Sequence, residues 1–173
     1  DADRPGALGW NGEAAPGVDV STPIVYRRVS HARFGGRVLL QLNYSVWFPE
    51  RPVLSESDLL GGRLDGLTWR VTLTPDGEPW VYDSMHNCGC YHQFFPTPRA
   101  VLRAVPDTLD ESAFVPQTLR AAGAGERLTV RIESGTHYLQ RVFVGDATGA
   151  GAVAHYAFAD DDSLRSRPVA GRS

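Results

Sequence analysis

The sequence predicts a mainly β fold, an antiparallel sheet stack (sandwich or open barrel) with little helix. Three observations carry this expectation. Runs of β-branched and aromatic residues alternate with polar ones along the chain, as half-buried strands require. Thr74-Pro75-Asp76-Gly77 joins two such runs, with proline at the second turn position and glycine where φ must be positive. At least six strand-like segments stand against one interrupted helical stretch, a balance that fits packed sheets.

Taken in order, residues 1–23 are rich in Gly, Pro and Ala without a sustained period and read as an extended arm anchored through Trp10. Residues 24–34 fit two readings equally: Thr22-Pro23 is a helix start, while Ile24, Tyr26 and Arg28 alternate against Val25 and Val29 as in a strand. Residues 37–48 are a strand, expected to end at Pro49 and Pro52 because proline cannot donate to a ladder. Residues 64–74 and 78–86 form the clearest hairpin. Trp69, Val71 and Leu73 share one face there, and Thr68, Arg70 and Thr72 the other. Residues 98–105 read as a short helical turn, and 107–125 as a loop holding one helix, 111–122, interrupted at Pro116. Three more strands are expected over 127–133, 137–144 and 152–158, and residues 165–173 read as a linker or tail. This leaves a single β-rich domain over residues 24–164.

Composition bounds the function. The chain has 173 residues, 42% hydrophobic and 21% charged, values of an ordinary globular domain. No apolar run approaches the roughly 18 residues of a membrane-spanning helix. The formal charge is −3 and no basic block occurs, so nucleic acid is excluded as an expected partner. Residue 1 is Asp rather than Met, so the chain reads as a processed protein or a piece of a longer one.

One segment is chemically distinctive: His86-Asn87-Cys88-Gly89-Cys90-Tyr91-His92. Both cysteines of the chain and two of its five histidines fall in these seven residues. His86, Cys88, Cys90 and His92 recur at every second position, which on a strand points all four side chains to one face. Thiolate and imidazole are the softest metal ligands a protein offers. An extended strand of that length spans roughly 20 Å, too far for one metal, whose bonds run about 2.0–2.3 Å. Either the chain bends at Gly89, or fewer than four residues bind and another strand completes the shell. His137 and His155, each inside an expected strand, are the natural outside donors. Zinc is the expected occupant on abundance, with copper or iron next.

Other readings of the same residues stand beside this one. Cys88 and Cys90 can close a small, strained disulfide, or remain reduced and buried as small hydrophobes beside hydrogen-bonded histidines. A thiol paired with His86 or His92 would be an activated nucleophile, but no third orienting group is evident, and Asp83 has the parity of the opposite face. Trp47, Trp69, Trp80 and Tyr82 are expected in the core rather than as a sugar platform. Asp160-Asp161-Asp162 lacks the spaced oxygens of a calcium loop.

Four phrases together, Trp47-Phe48-Pro49-Glu50-Arg51-Pro52, residues 64–71, Tyr82-Asp83-Ser84 and Cys88-Gly89-Cys90-Tyr91-His92, resemble an uncharacterised family of bacterial proteins of the cell envelope. The resemblance covers roughly residues 38–164 and implies a bacterial, extracytoplasmic setting without implying a reaction. The expectation is thus a β-rich domain that binds a soft transition metal through the 86–92 segment and acts, given an open coordination position, as a metal-dependent enzyme. The alternative is a non-catalytic envelope interaction module with a Cys88–Cys90 disulfide, its partner a small molecule or an envelope ligand.

Overall fold

The computed structural model describes residues 2–10, 15–104, 112–146 and 154–166, which are mainly β with little helix. The strands are β1 (Ala7–Trp10), β2 (Pro16–Asp19), β3 (Ile24–Phe34), β4 (Arg37–Arg51), β5 (Gly62–Leu73), β6 (Pro79–His86), β7 (Gln93–Pro96), β8 (Arg127–Ile132), β9 (Leu139–Gly145) and β10 (Ala157–Asp160). A short 3-10 helix, Asp161–Ser166, follows β10. Six strands form the main sheet in the order β10-β3-β4-β5-β6-β7, while β1-β2 and β8-β9 are separate hairpins. Strands β3 to β7 are an antiparallel meander, and β10 adds to the edge of β3 in parallel.

The ambiguous segment 24–34 is strand β3. Phe34 pairs with Arg37 across Gly35 and Gly36, both at positive φ, which is the two-residue turn that suits twisted strands. Strand β4 runs past Pro49, where it was expected to stop. Pro49 lies opposite Leu64, the one position of the β4–β5 ladder without a pair, so its missing N–H breaks no bond. The 74–77 turn is closed by Gly77 N–H donating to Thr74 O at 2.9 Å, with Gly77 at φ +86.

The expected helix over 111–122 is absent among its described residues, 112–122. The segment spends its backbone groups on β7 instead: Phe94 N–H donates to Phe114 O, and Leu119 N–H to Pro96 O. At 98–105 the described residues hold one turn, closed by Ala100 N–H to Thr97 O, and no helix. The arm over 1–23 contains the β1–β2 hairpin, fixed by Gly6 N–H to Trp47 O and by Leu8 N–H to the hydroxyl of fully buried Tyr26. Strand β9 begins at Leu139, two residues after its expected start, and β10 occupies 157–160. Residues 152 and 153 of the expected strand, and 167–173 of the expected tail, lie outside the described residues.

The parity read from the hairpin holds through Val71; the register shifts between Thr72 and Leu73, and Leu73 does not join the core. Leu67, Trp69 and Val71 of β5 and Tyr82 of β6 face a core that Phe95, Leu119, Leu139 and Val142 complete, with the β8–β9 hairpin as its second layer. The other face of the meander carries a polar ladder: Ser45 to Thr68, Gln41 to Thr72, and Arg70 to Asp83. No helix among the described residues is long and apolar enough to cross a membrane.

Candidate functional site

Asp65 carries the parity of Leu67, Trp69 and Val71, so β5 delivers a carboxylate to the apolar side of the sheet. Two imidazoles meet it there. His137 Nδ1 lies 2.7 Å from Asp65 Oδ2, and His86 Nδ1 lies 3.3 Å from Asp65 Oδ1. Gly66 N–H adds a donor at 2.8 Å. Burial pushes the Asp65 carboxyl up, but the His137 and His86 contacts and the Gly66 N–H outweigh it and hold the group well below the ordinary carboxylate range. The Asp65 carboxylate accepts from His137 Nδ1 and faces His86 Nδ1 at ion-pair distance, which fixes the orientation of both rings.

Both Nε2 atoms are buried without a hydrogen-bond partner. His86 is 4% exposed and His137 1%. His137 sits in the turn between β8 and β9 at φ +54, its ring stacked on Phe48 at 3.9 Å. Its Nε2 is 3.3 Å from Asp3 Oδ1, within ion-pair distance but not aligned as a hydrogen bond. Asp3 in turn accepts from Gly135 N–H at 2.6 Å and from the Ser134 hydroxyl, which keeps its carboxyl low. Asp3, His137, Asp65 and His86 thus form one acid–imidazole chain that runs from the surface inward.

His86 ends β6 and borders a cleft of about 370 Å³ that Asp65, Cys88, Cys90, Trp47 and Arg51 also line. After His86 the chain turns sharply: Gly89 N–H donates to His86 O at 2.7 Å, and His86 N–H to Cys90 O at 3.0 Å. Gly89 permits this at φ +90, so the bend expected at this glycine is present. Cys88 and Cys90 are free thiols and both are exposed, which corrects the reading of buried, hydrophobe-like cysteines. Cys90 N–H lies 3.5 Å from Cys88 Sγ. The adjoining Cys88 pushes the Cys90 thiol up, so Cys90 as it stands is not an activated thiolate. Tyr91 and Tyr138 flank His86, with ring centroids 5.4 and 5.2 Å from the imidazole.

The four residues 86, 88, 90 and 92 do not share one strand face, because the strand stops at His86. Past the turn, His92 comes back on the opposite side of the sheet, its Nε2 2.9 Å from Asp83 Oδ1. Asp83 is also gripped by Arg70 through Nε at 2.9 Å and Nη2 at 2.8 Å. The parity argument that kept Asp83 from His92 failed for the same reason. His155 lies ahead of β10 rather than inside a strand and is exposed. Among the described residues, no three His, Cys, Asp or Glu side chains are gathered round a point that a metal ion could occupy as they stand.

Local strain marks the same region. Leu64, Tyr91 and His137 are the described non-glycine residues with positive φ, at +63, +54 and +54. Leu64 precedes Asp65, Tyr91 follows Cys90, and His137 is itself in the chain of contacts. Side chains rarely adopt this conformation unless surrounding structure imposes it, and such residues cluster at functional sites.

Asp65, Asp3, Arg51 and Tyr138 did not stand out in the sequence as site residues. For Asp65 a signal existed: an acid in register with Leu67, Trp69 and Val71 is a charge aimed into a core. Asp3 gave no local signal at all. No family model matches the chain, and comparison with curated proteins and with solved structures finds no match.

Proposed function

We propose that the chain is a metal-binding domain centred on His86, with Cys88 and Cys90 as its thiolate partners. One observation carries the reading: His86 borders the cleft that both thiols line, its Nε2 is buried without a hydrogen-bond partner, and its other nitrogen faces a carboxylate. Metal-binding histidines are characteristically held in this way, with the second ring nitrogen on an acid that fixes tautomer and orientation. In this reading the thiols, on the exposed turn that directly follows His86, complete the ligand set. Two thiolates and one imidazole suit zinc first and copper or iron next. They leave a fourth position of a tetrahedral ion open to water or substrate, the arrangement a metal-dependent enzyme needs.

In this reading His137 holds Asp65 and is not a ligand, and His92 and His155 take no part. The test is a cobalt titration with a free-thiol count. The expected outcome is one ion per chain with a thiolate charge-transfer band, which Cys88→Ser, Cys90→Ser and His86→Ala each weaken at least about tenfold and His92→Ala leaves unchanged. Full metal content in the double cysteine variant would overturn the proposal. Absence of both metal and free thiols would replace it with the Cys88–Cys90 disulfide of a non-catalytic module.

A further inference from the structure

His86, Arg51 and Trp47 line the cleft at the end of β6, and each has a buried nitrogen without a hydrogen-bond partner: His86 Nε2, Arg51 Nε and Trp47 Nε1. The last two are pure donors and play no part in the metal proposal. Arg51 is 7% exposed. Its Nη1 donates to the Tyr138 hydroxyl at 3.3 Å, and its guanidinium lies over the Tyr138 ring at 4.9 Å. Among the described residues no carboxylate comes within ion-pair distance of it; Asp58 and Asp65 act on it only from farther away. A buried guanidinium N–H without an acceptor is costly, and a bound oxyanion would satisfy it.

The free edge decides the chemistry. With Nη1 engaged, Arg51 has the Nε–Nη2 edge left, the fork that takes two oxygens of a planar oxyanion side by side. Trp47 Nε1 adds a single donor. Leu59, Leu60 and Leu64 add apolar surface to the lining that Asp65, Cys88 and Cys90 share, and Leu59 is 95% exposed. The loop bearing them is braced from within, since Asp58 accepts from the backbone N–H of Leu54, Leu60 and Gly61. A donor end and apolar surface within about 370 Å³ fit a small amphiphilic molecule with one charged end.

We propose that this cleft binds a small organic acid, its carboxylate on Arg51 and Trp47 and its apolar body along Leu59 and Leu60. Binding does not require a metal, so the test uses EDTA-treated protein, and its failure is separate from failure of the metal reading. Isotope-labelled protein is titrated with acetate, hexanoate and inorganic phosphate at constant ionic strength, with chloride as the reference anion. The Trp47 indole and Arg51 Nε–H resonances should shift saturably with hexanoate. Hexanoate should bind about tenfold more tightly than acetate, because its added methylenes leave water. Arg51→Lys keeps the charge but loses the fork and should weaken hexanoate at least tenfold. Trp47→Phe keeps the ring but removes the donor; it should weaken binding severalfold and serves if the arginine variant does not fold. Shifts no larger than those with chloride, or hexanoate affinity unchanged in both variants, would overturn the proposal. Phosphate binding as tight as hexanoate would overturn the organic-acid assignment.

Discussion

Asp65 is the residue on which both imidazoles depend, and its chemistry gives a signed prediction. Its folded carboxyl is held below its unfolded value, so the stabilisation is complete above about pH 4, the unfolded carboxylate range, and is lost as pH falls toward the folded value. Asp65→Asn should therefore lower stability by about 2 kcal/mol at pH 7. The gap between the two proteins should shrink as pH drops below about 4. Urea midpoints at several pH values measure this, and a gap constant down to pH 2 would contradict the account. The same variant should weaken metal about 10- to 100-fold, since His86 loses its orienting partner. In the sequence the residue was legible only as an acid out of place on an apolar face. What it touches was not, because His137 is 72 positions away and arrives through a turn rather than a strand.

At the scale of elements, the turn over residues 86–90 decides which side chains can meet. Gly89 has no atom within 4 Å of where a Cβ would stand, so Gly89→Ala costs backbone strain at φ +90 and no clash. About 1–2 kcal/mol of local strain should open the turn and weaken metal while leaving the thermal midpoint nearly unchanged. A midpoint that falls as far as metal affinity would show the turn to be part of the global fold instead. Gly36→Ala is the converse case. Its φ of +75 lies in the turn of the β3–β4 hairpin, whose long strands belong to the main sheet, so a similar strain should appear in global stability, read by urea unfolding. The alternating strands and the 74–77 turn were legible because a period of two and a Pro-Asp-Gly turn are local properties. Gly35-Gly36 carried the signal that would have settled β3 as a strand. The helix expected over 111–122 failed because Leu119 and Phe114 bond to the segment around β7, a partner no local window contains. The one-face reading of 86–92 failed because a spacing of two has meaning only while the strand continues.

For the whole molecule, the core lies between the meander and the β8–β9 hairpin, and Phe95, 1% exposed, is its most buried aromatic member. Phe95→Ala should cost about 3–5 kcal/mol through lost burial and a cavity. A strand-rich circular dichroism spectrum below the lowered midpoint would confirm that the architecture survives. Parity located this layer, because the inward residues of β5 and β6 were readable in advance, while its lid was not. The acid–imidazole chain has a different reach. Asp3, Asp65, His86 and His137 come from four stretches of sequence far apart, and each contact closes a long loop of chain. The cleft is lined by residues within 47–91, while the chain of contacts behind it reaches outside that stretch to His137 and Asp3. Whatever binds at His86 stabilises the folded molecule over the unfolded one by mass action. Every tenfold of free ligand above its dissociation constant shifts the native population by about 1.4 kcal/mol. Occupancy of the cleft and completion of folding become one measurable equilibrium.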